Sequence, residues 1–390
     1  MNWVRLCAGA FVVVLSISST AIAGPFNQIV VFGDSLSDTG NAEEALGSLA
    51  IDPNDYYMGR FSNGPVWIEY LATQLQLTAP VANLTSSSGR NYAFGGARTD
   101  GSGLVSFFIN DIDEQVPDYI NNDGGPSGDE LIVVWGGAND FLDGQTNTAV
   151  PVANLASDIA DLHAAGGRRF MVVNLPLLGQ TPRFVGTSNE TVFDTLSTQF
   201  NTQLSSSLDN LEGSLADIEF FRVDAGALIG DAVANPAAYG FTNVTDQALD
   251  AGGIDPDEYL FWDDVHPTTA AHELIAQVAA DILFDALSVL TGDLDFDGFV
   301  GIADLNIVLG NWNLNVSPGN PLFGDPSGDG FVGIEDLNTV LGNWNAGTPP
   351  GAPTNSANIP EPGALGLIVL CMAGMAGRKR SRVRGLIRMH

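Results

Sequence analysis

Cysteine is nearly absent from this 390-residue chain. Cys7 and Cys371 are the only two, so no disulfide framework or cysteine-based metal site can organise the body between them. Positive charge is almost as scarce: Lys and Arg total 14 against 46 Asp and Glu, a formal net charge of -32. Six of those basic residues lie between Arg378 and Arg388 and a seventh is Arg5, which leaves seven against 45 acids in residues 24–360. Such a surface repels phosphates and argues against nucleic acid as a partner, while it supplies carboxylates for binding cations. Histidine is the third scarcity. There are four, His163, His266, His272 and His390, few enough to be weighed one by one.

The two ends differ from the body. Arg5 precedes an apolar stretch from Leu6 to Leu15, and a Ser-rich segment then leads to Ala21-Ile22-Ala23. Residues 1–23 therefore read as a secretory signal cut before Gly24, the apolar run being short for a retained anchor. At the other end Pro360-Glu361-Pro362 is followed by an apolar run from Ala364 to Ala376 and a basic tail opening Arg378-Lys379-Arg380. Thirteen residues at ~1.5 Å each reach roughly 20 Å, short of a ~30 Å bilayer core, and the basic tail favours the cytoplasmic side. The three parts, over residues 360–390, resemble the PEP-CTERM sorting signal. That resemblance implies transient membrane contact through the C-terminal segment, cutting by an exosortase-type enzyme, and delivery to the envelope or extracellular matrix. A plain transmembrane anchor is the alternative. Each cysteine lies in one of these terminal segments, so a processed protein would hold none.

Between Gly24 and residue 291, short apolar runs alternate with amphipathic stretches. Ile29–Phe32, Leu131–Trp135, Phe170–Asn174 and Ile218–Val223 read as buried strands, with a weaker fifth at Asn91–Phe94. Helices are expected over Pro65–Leu77, Pro151–Ala165, Glu190–Leu211 and Thr268–Leu290. The alternation predicts an α/β domain with a parallel sheet, whose ligands gather at the carboxyl ends of the strands. After Gly292 the texture changes. "GDLDFDGFVGIADLNIVLGNWN" returns as "GDPSGDGFVGIEDLNTVLGNWN" with a period of 32, filling residues 292–346, and 347–359 form a Pro/Gly/Asn-rich linker.

Four features fall near strand ends: Gly33-Asp34-Ser35, Gly95-Gly96, Gly137-Ala138-Asn139-Asp140, and Asp263-Asp264-Val265-His266-Pro267. Taken singly, the first is a helix cap and the last a structural turn. Taken together they hold what serine acyl transfer needs: a nucleophile, a base, a carboxylate to orient the base, and donors for an oxyanion. His390 lies in the basic tail, His163 late in a helix, and His272 on a polar or half-buried helix face. His266 alone has an acid three positions before it in a loop leading to a helix. Position 37 is Ser rather than Gly, so the G-x-S-x-G turn of α/β-hydrolases is not indicated.

These segments, with "GRFSNGPVWIEYLA", "NYAFGGART" and "FWDDVHPTTAAHELIA", resemble the GDSL esterase/lipase family, or SGNH hydrolases, over residues 27–285. The nearest texture is its lecithinase/haemolysin-type branch. The resemblance implies a three-layer αβα, flavodoxin-like fold and a secreted ester hydrolase needing no cofactor for catalysis. It implies Ser35 as nucleophile, His266 as base and then acid, and Asp263 as its orienting acid, with Asp264 the rival. Gly96 and Asn139 would serve the oxyanion, with Gly95 the rival to Gly96, while Asp34, Asp38 and Asn41 shape the turn. The substrate would be a lipid or acylated-carbohydrate ester. A carbohydrate deacetylase and a non-catalytic, calcium-stabilised adhesin are the competing readings.

The repeat has the spacing of a calcium loop. Asp293, Asp295 and Asp297 stand at positions 1, 3 and 5, Gly298 at 6, Phe299 at 7 and Asp304 at 12. The second copy offers Asp325, Ser327, Asp329, Gly330, Phe331 and Asp336. Alternate oxygen ligands, a glycine for the sharp turn, a backbone carbonyl at 7 and a terminal carboxylate suit calcium. Asp in place of Glu at position 12 departs from a full EF-hand. The pair resembles type I dockerin repeats, which implies structural calcium and a possible cohesin-like partner.

Overall fold

Five-residue apolar runs with turns close behind them leave room only for short strands, and four of them build the sheet. β1 (Ile29–Gly33), β2 (Leu131–Trp135), β3 (Arg169–Val173) and β4 (Glu219–Val223) lie side by side in that order, all parallel. Every residue of β1 and β2 is buried, as expected of strands covered on both faces. β4, at the edge, exposes Glu219. The computed structural model describes residues 25–86, 88–101, 108–253, 255–288 and 290–350.

The helices among these residues are α1 (Asn41–Leu46), α2 (Trp67–Gln74), α3 (Ile112–Asn122), α4 (Ala138–Leu142), α5 (Ala149–Ala164), α6 (Glu190–Ser214), α7 (Ala225–Ala234), α8 (Thr269–Leu287), α9 (Ile302–Gly310) and α10 (Ile334–Gly342). α2 packs on α8, and α3, α5 and α6 pack in succession. α8 touches β4 and α3 touches β1, so helices cover the sheet in the expected αβα arrangement. Trp67 from α2 and Trp135 from β2 meet edge to face at 5.5 Å in the main core.

The expected fifth strand at Asn91–Phe94 is an irregular ribbon instead. It follows the free edge of β1 through Val31 N–H to Arg90 O, Tyr92 N–H to Val31 O and Phe94 N–H to Gly33 O, at 2.9, 2.8 and 3.0 Å. The ladder ends where β1 does, at Gly33, and the Gly95 amide turns to the Asp38 carboxylate at 2.8 Å. Several elements had no expectation attached. α3 carries an internal Pro117, α7 is short, and the parallel pair β5 (Asn243–Gln247) and β6 (Tyr259–Phe261) contains a polar strand with exposed positions.

Residues up to Thr348 belong to one compact unit, and the repeat is packed into it. Its own small core pairs positions 32 apart, Val300 with Val332 and Val308 with Val340, around Leu294 and Ile307. Leu322, between the copies, joins the main core. Phe296 stacks on Phe284 of α8, with centroids 6.2 Å apart and rings 6° from parallel. Asn320 donates to both the backbone and side-chain carbonyls of Gln74 in α2, at 3.0 and 2.8 Å.

The signal segment 1–23 and the sorting segment 360–390 lie outside the described residues. The expectation of a transmembrane stretch is corrected. No helix among the described residues is long and apolar enough to cross a membrane, and the run from Ala364 to Ala376 is by length alone roughly 10 Å too short.

Candidate active site

β1 must deliver its last residue hard against β2. A Cβ on Gly33 would lie 2.2 Å from the Trp135 carbonyl oxygen, so only glycine fits. Gln115 of α3 then grips the strand end, its Oε1 accepting from Gly33 N–H and its Nε2 donating to Gly33 O, both at 2.9 Å. The chain turns there, with Ser37 and Asp38 N–H both bonding back to Asp34 O at 3.1 Å. Ser35 is thereby placed past the end of the sheet with its N–H unbonded among the described residues.

His266 arrives from the loop between β6 and α8. Its Nε2 lies 2.8 Å from Ser35 Oγ and its Nδ1 lies 2.6 Å from Asp263 Oδ2. Asp263 Oδ1 is fixed separately, accepting from the backbone N–H of Val265 and His266 at 2.9 and 2.7 Å. Burial works against charge on Asp263, yet His266 beside it and these hydrogen bonds outweigh burial and hold its carboxyl well below the usual range. For His266, burial pulls the imidazole down, but the Asp263 charge and hydrogen bond win and its pKa rises. The rival acid is occupied elsewhere, since Asp264 forms a two-pronged pair with Arg183 at 2.7 and 3.0 Å. A Ser–His–Asp chain with the ring nitrogens in these roles can pass the serine proton to imidazole and stabilise the imidazolium.

The candidate oxyanion donors lie at the neighbouring strand ends. Gly95 N–H is taken by Asp38, whereas Gly96, at φ 86°, has no acceptor for its N–H among the described residues. Asn139, at the start of α4, donates to Ala97 O at 2.9 Å, which aims the amide and leaves its second N–H. Asp140 accepts from Thr99 N–H and Oγ1–H at 3.0 and 2.8 Å. The first three segments are thus tied to one another by buried hydrogen bonds. Asp38 accepts from Gly40, Asn41, Ala42 and Gly95 N–H. Burial nevertheless pushes it up to about 6.

Sequence reasoning missed several supporting residues. Tyr56 O–H donates to Asp263 Oδ2 at 2.8 Å, and Phe61 packs on the His266 ring at 5.1 Å. Ser62 Oγ–H donates to Pro267 O at 2.9 Å, and Thr269 N–H donates to Asn63 Oδ1 at 2.8 Å. The segment "GRFSNG" therefore serves to hold the histidine loop; a tyrosine three residues before it carried no signal of its own. Asp34 is fully enclosed, which drives its carboxyl up to about 7, with Oδ2 unpartnered among the described residues. His272, expected on a polar or half-buried face, is instead completely buried in α8, and burial with His266 nearby lowers it to about 3. It stays neutral and outside the Ser35 chain. His163 bonds Ala216 O at 2.9 Å, far from the site in the fold.

In the repeat, carboxylate oxygens of Asp293, Asp295 and Asp297 lie within 4.8 Å of one another, as do those of Asp325, Asp329 and Asp336. Asp304 adjoins the first group without falling in that 4.8 Å set, and its two oxygens accept from Leu294 and Gly301 N–H at 2.6 and 2.7 Å. Ser327 turns its hydroxyl to Asp325 Oδ1 at 3.0 Å. The fit to a cation is carried by Asp293, buried with Oδ1 unpartnered among the described residues, and by Asp295, which burial and the nearby Asp304 and Asp297 raise to about 7.

Comparison with known proteins bears on this geometry. The PEP-CTERM protein-sorting motif matches residues 358–381, so the chain carries that motif. The phosphatidylcholine-sterol acyltransferase of Aeromonas hydrophila is 28% identical over 335 residues, 70% of this chain and 94% of that protein. The thermolabile hemolysin of Vibrio parahaemolyticus is 28% identical over 276 residues, 64% of this chain and 62% of its own length. Among solved structures, a member of the lipolytic protein G-D-S-L family from Veillonella parvula aligns with TM-score 0.39 and 15% identity over 67% of this chain and 99% of that one. The profile described as GDSL-like Lipase/Acylhydrolase matches residues 29–279. Because that match runs from β1 into α8 and crosses every segment of the site, the chain belongs to the GDSL-like lipase/acylhydrolase family of ester-hydrolysing enzymes.

Proposed function

We propose that residues 24–291 form a secreted serine esterase in which Ser35, His266 and Asp263 are the catalytic triad. The observation that carries the reading is the unbroken chain from Ser35 Oγ through both imidazole nitrogens to Asp263. Ser35 Oγ attacks the ester carbonyl while its proton passes to His266 Nε2. The tetrahedral oxyanion is held by the N–H of Ser35 and Gly96 and the Asn139 amide. The intermediate collapses with loss of the alcohol, which takes the proton from His266. Water then attacks the acyl-enzyme, its proton again going to His266, and the carboxylic acid leaves with Ser35 restored. Turnover of p-nitrophenyl esters by wild type and Ser35→Ala tests this, with loss of roughly 10⁶ in kcat expected for the variant.

The similarity to the Aeromonas and Vibrio proteins supports placement in the lecithinase/haemolysin-type branch. The matched sorting motif supports export with envelope or matrix association and exosortase-type processing. Residues 292–346 are, in this reading, a dockerin-like module holding calcium. Asp293, Asp295, Asp297, Asp304 and the Phe299 carbonyl would serve one ion, and Asp325, Ser327, Asp329, Asp336 and the Phe331 carbonyl the other. The ion would neutralise converging carboxylates and stabilise the fold. Its expected signature is calcium-dependent protection of residues 292–346 from proteolysis.

A further inference from the structure

Resting on Ser35 as the nucleophile, we propose that the cavity beside it is an acyl-binding pocket cut for short chains, of about two to four carbons. The cavity opens at Ser35, Asn139 and His266, and its walls are Leu142 of α4, Leu178, Ile229 of α7, Phe261 of β6 and Ile275 of α8. Four of those five are at least nine-tenths buried. Beyond the mouth, where the carbonyl must sit and where Asp34 adjoins Ser35, the lining is mostly hydrocarbon; its one hydroxyl, that of Thr181, is spent on Leu178 O at 2.7 Å.

The direction of the pocket assigns it to the acyl side. Asn139 and Ser35 line it whereas Gly96 does not, so it runs from the reacting carbon away from the Gly96 side of the oxyanion site. The leaving alcohol must face His266 Nε2 to receive its proton, and a largely apolar cavity would strand the further polar groups of a sugar or headgroup alcohol without partners. An acyl chain has none to strand.

Size sets the length. The free volume is about 50 Å³, roughly a third of the ~150 Å³ apolar cavity that accommodates the six carbons of benzene. Four of the five walls stand on α4, α7, α8 and β6, and Leu178, on the β3–α6 connection, is itself buried, so extending the space means displacing packed side chains, which close-packed interiors resist. Within the family, this separates an acetyl- or butanoyl-ester substrate from a long-chain lipid, and it favours acylated carbohydrate as the natural ester class.

The test is a chain-length series of p-nitrophenyl esters from acetate to dodecanoate, run on wild type, Ile229→Ala and the half-buried Leu142→Ala. A fluorophosphonate label on Ser35, read by intact mass, is measured alongside. Wild type should favour acetate to butanoate over octanoate by at least about 10-fold in kcat/KM. A folded Ile229→Ala or Leu142→Ala should raise the octanoate-to-acetate ratio about 10-fold. Wild-type preference for octanoate or longer, with Ser35 labelled, overturns the pocket assignment alone. An unchanged ratio in both folded variants does the same. Failure to label Ser35, with no ester turned over, takes down the nucleophile assignment and the pocket together.

Discussion

Asp263 at the catalytic end of the sheet and Asp295 in the first acidic loop are both buried aspartates, but their surroundings treat them oppositely. Asp263 meets a histidine, two backbone amides and a tyrosine hydroxyl, and its carboxyl is held low. Asp295 meets other carboxylates, and its carboxyl is pushed up. The first arrangement is satisfied by the protein itself and is organised before any ligand arrives, which is what electrostatic catalysis requires. The second leaves like charges facing one another, which the proposed calcium would neutralise. Even the two loops differ, since Ser327 replaces the acid at position 3 and satisfies Asp325 with a hydroxyl.

If that contrast holds, damage to the satisfied site costs rate, and damage to the unsatisfied loops costs stability. The largest loss after Ser35→Ala is expected for Asp263→Asn, about 10⁴ in kcat, measured on p-nitrophenyl acetate. Asn139→Ala should lose roughly 10²–10³, with a smaller change in KM. The pH profile should follow His266, which must be neutral to accept the Ser35 proton. Because its pKa is raised above 6.5, the acid limb of kcat/KM should fall above pH 6.5 and activity should decline below it. Tyr56→Phe removes a donor from Asp263, leaving more negative charge to favour imidazolium. Its rate should drop about 5-fold and its acid limb should move to higher pH. A helper of structure alone would change the rate and leave the limb in place. The smallest catalytic effect belongs to calcium. Adding a chelator should lower the melting temperature by a few degrees while changing kcat at 25 °C less than about twofold. A large loss of kcat on chelation would erase the contrast.

Much of this architecture could be read from the chain because buried parallel strands advertise themselves. β2 matches its apolar run end to end, and β1, β3 and β4 begin or end within a residue of theirs. The elements that escaped are those with mixed patterns. β5 reads Asn-Val-Thr-Asp-Gln, and α3 mixes acids with Pro117. The candidate site residues that the structure brings together were legible because histidine is scarce and glycine marks the strand ends. The choices between Gly95 and Gly96, and between Asp263 and Asp264, were not. Each turned on which neighbour a group faces: Asp38 takes the Gly95 amide and Arg183 takes Asp264. Tyr56 lies 207 positions from Asp263, and no local pattern announces a contact over that distance. The packing of the repeat on α2 and α8 likewise depends on Asn320 and Leu322, which sit between the two copies and outside their periodicity.

The most direct test of the central claim is covalent. Wild type and Ser35→Ala are incubated with a fluorophosphonate, and each is then read by intact mass and by residual turnover of p-nitrophenyl acetate. The structure predicts one adduct per wild-type chain, located on Ser35 with matching loss of turnover, and neither adduct nor turnover in the variant. An adduct on another residue, or a variant that hydrolyses the ester at the wild-type rate, would contradict it.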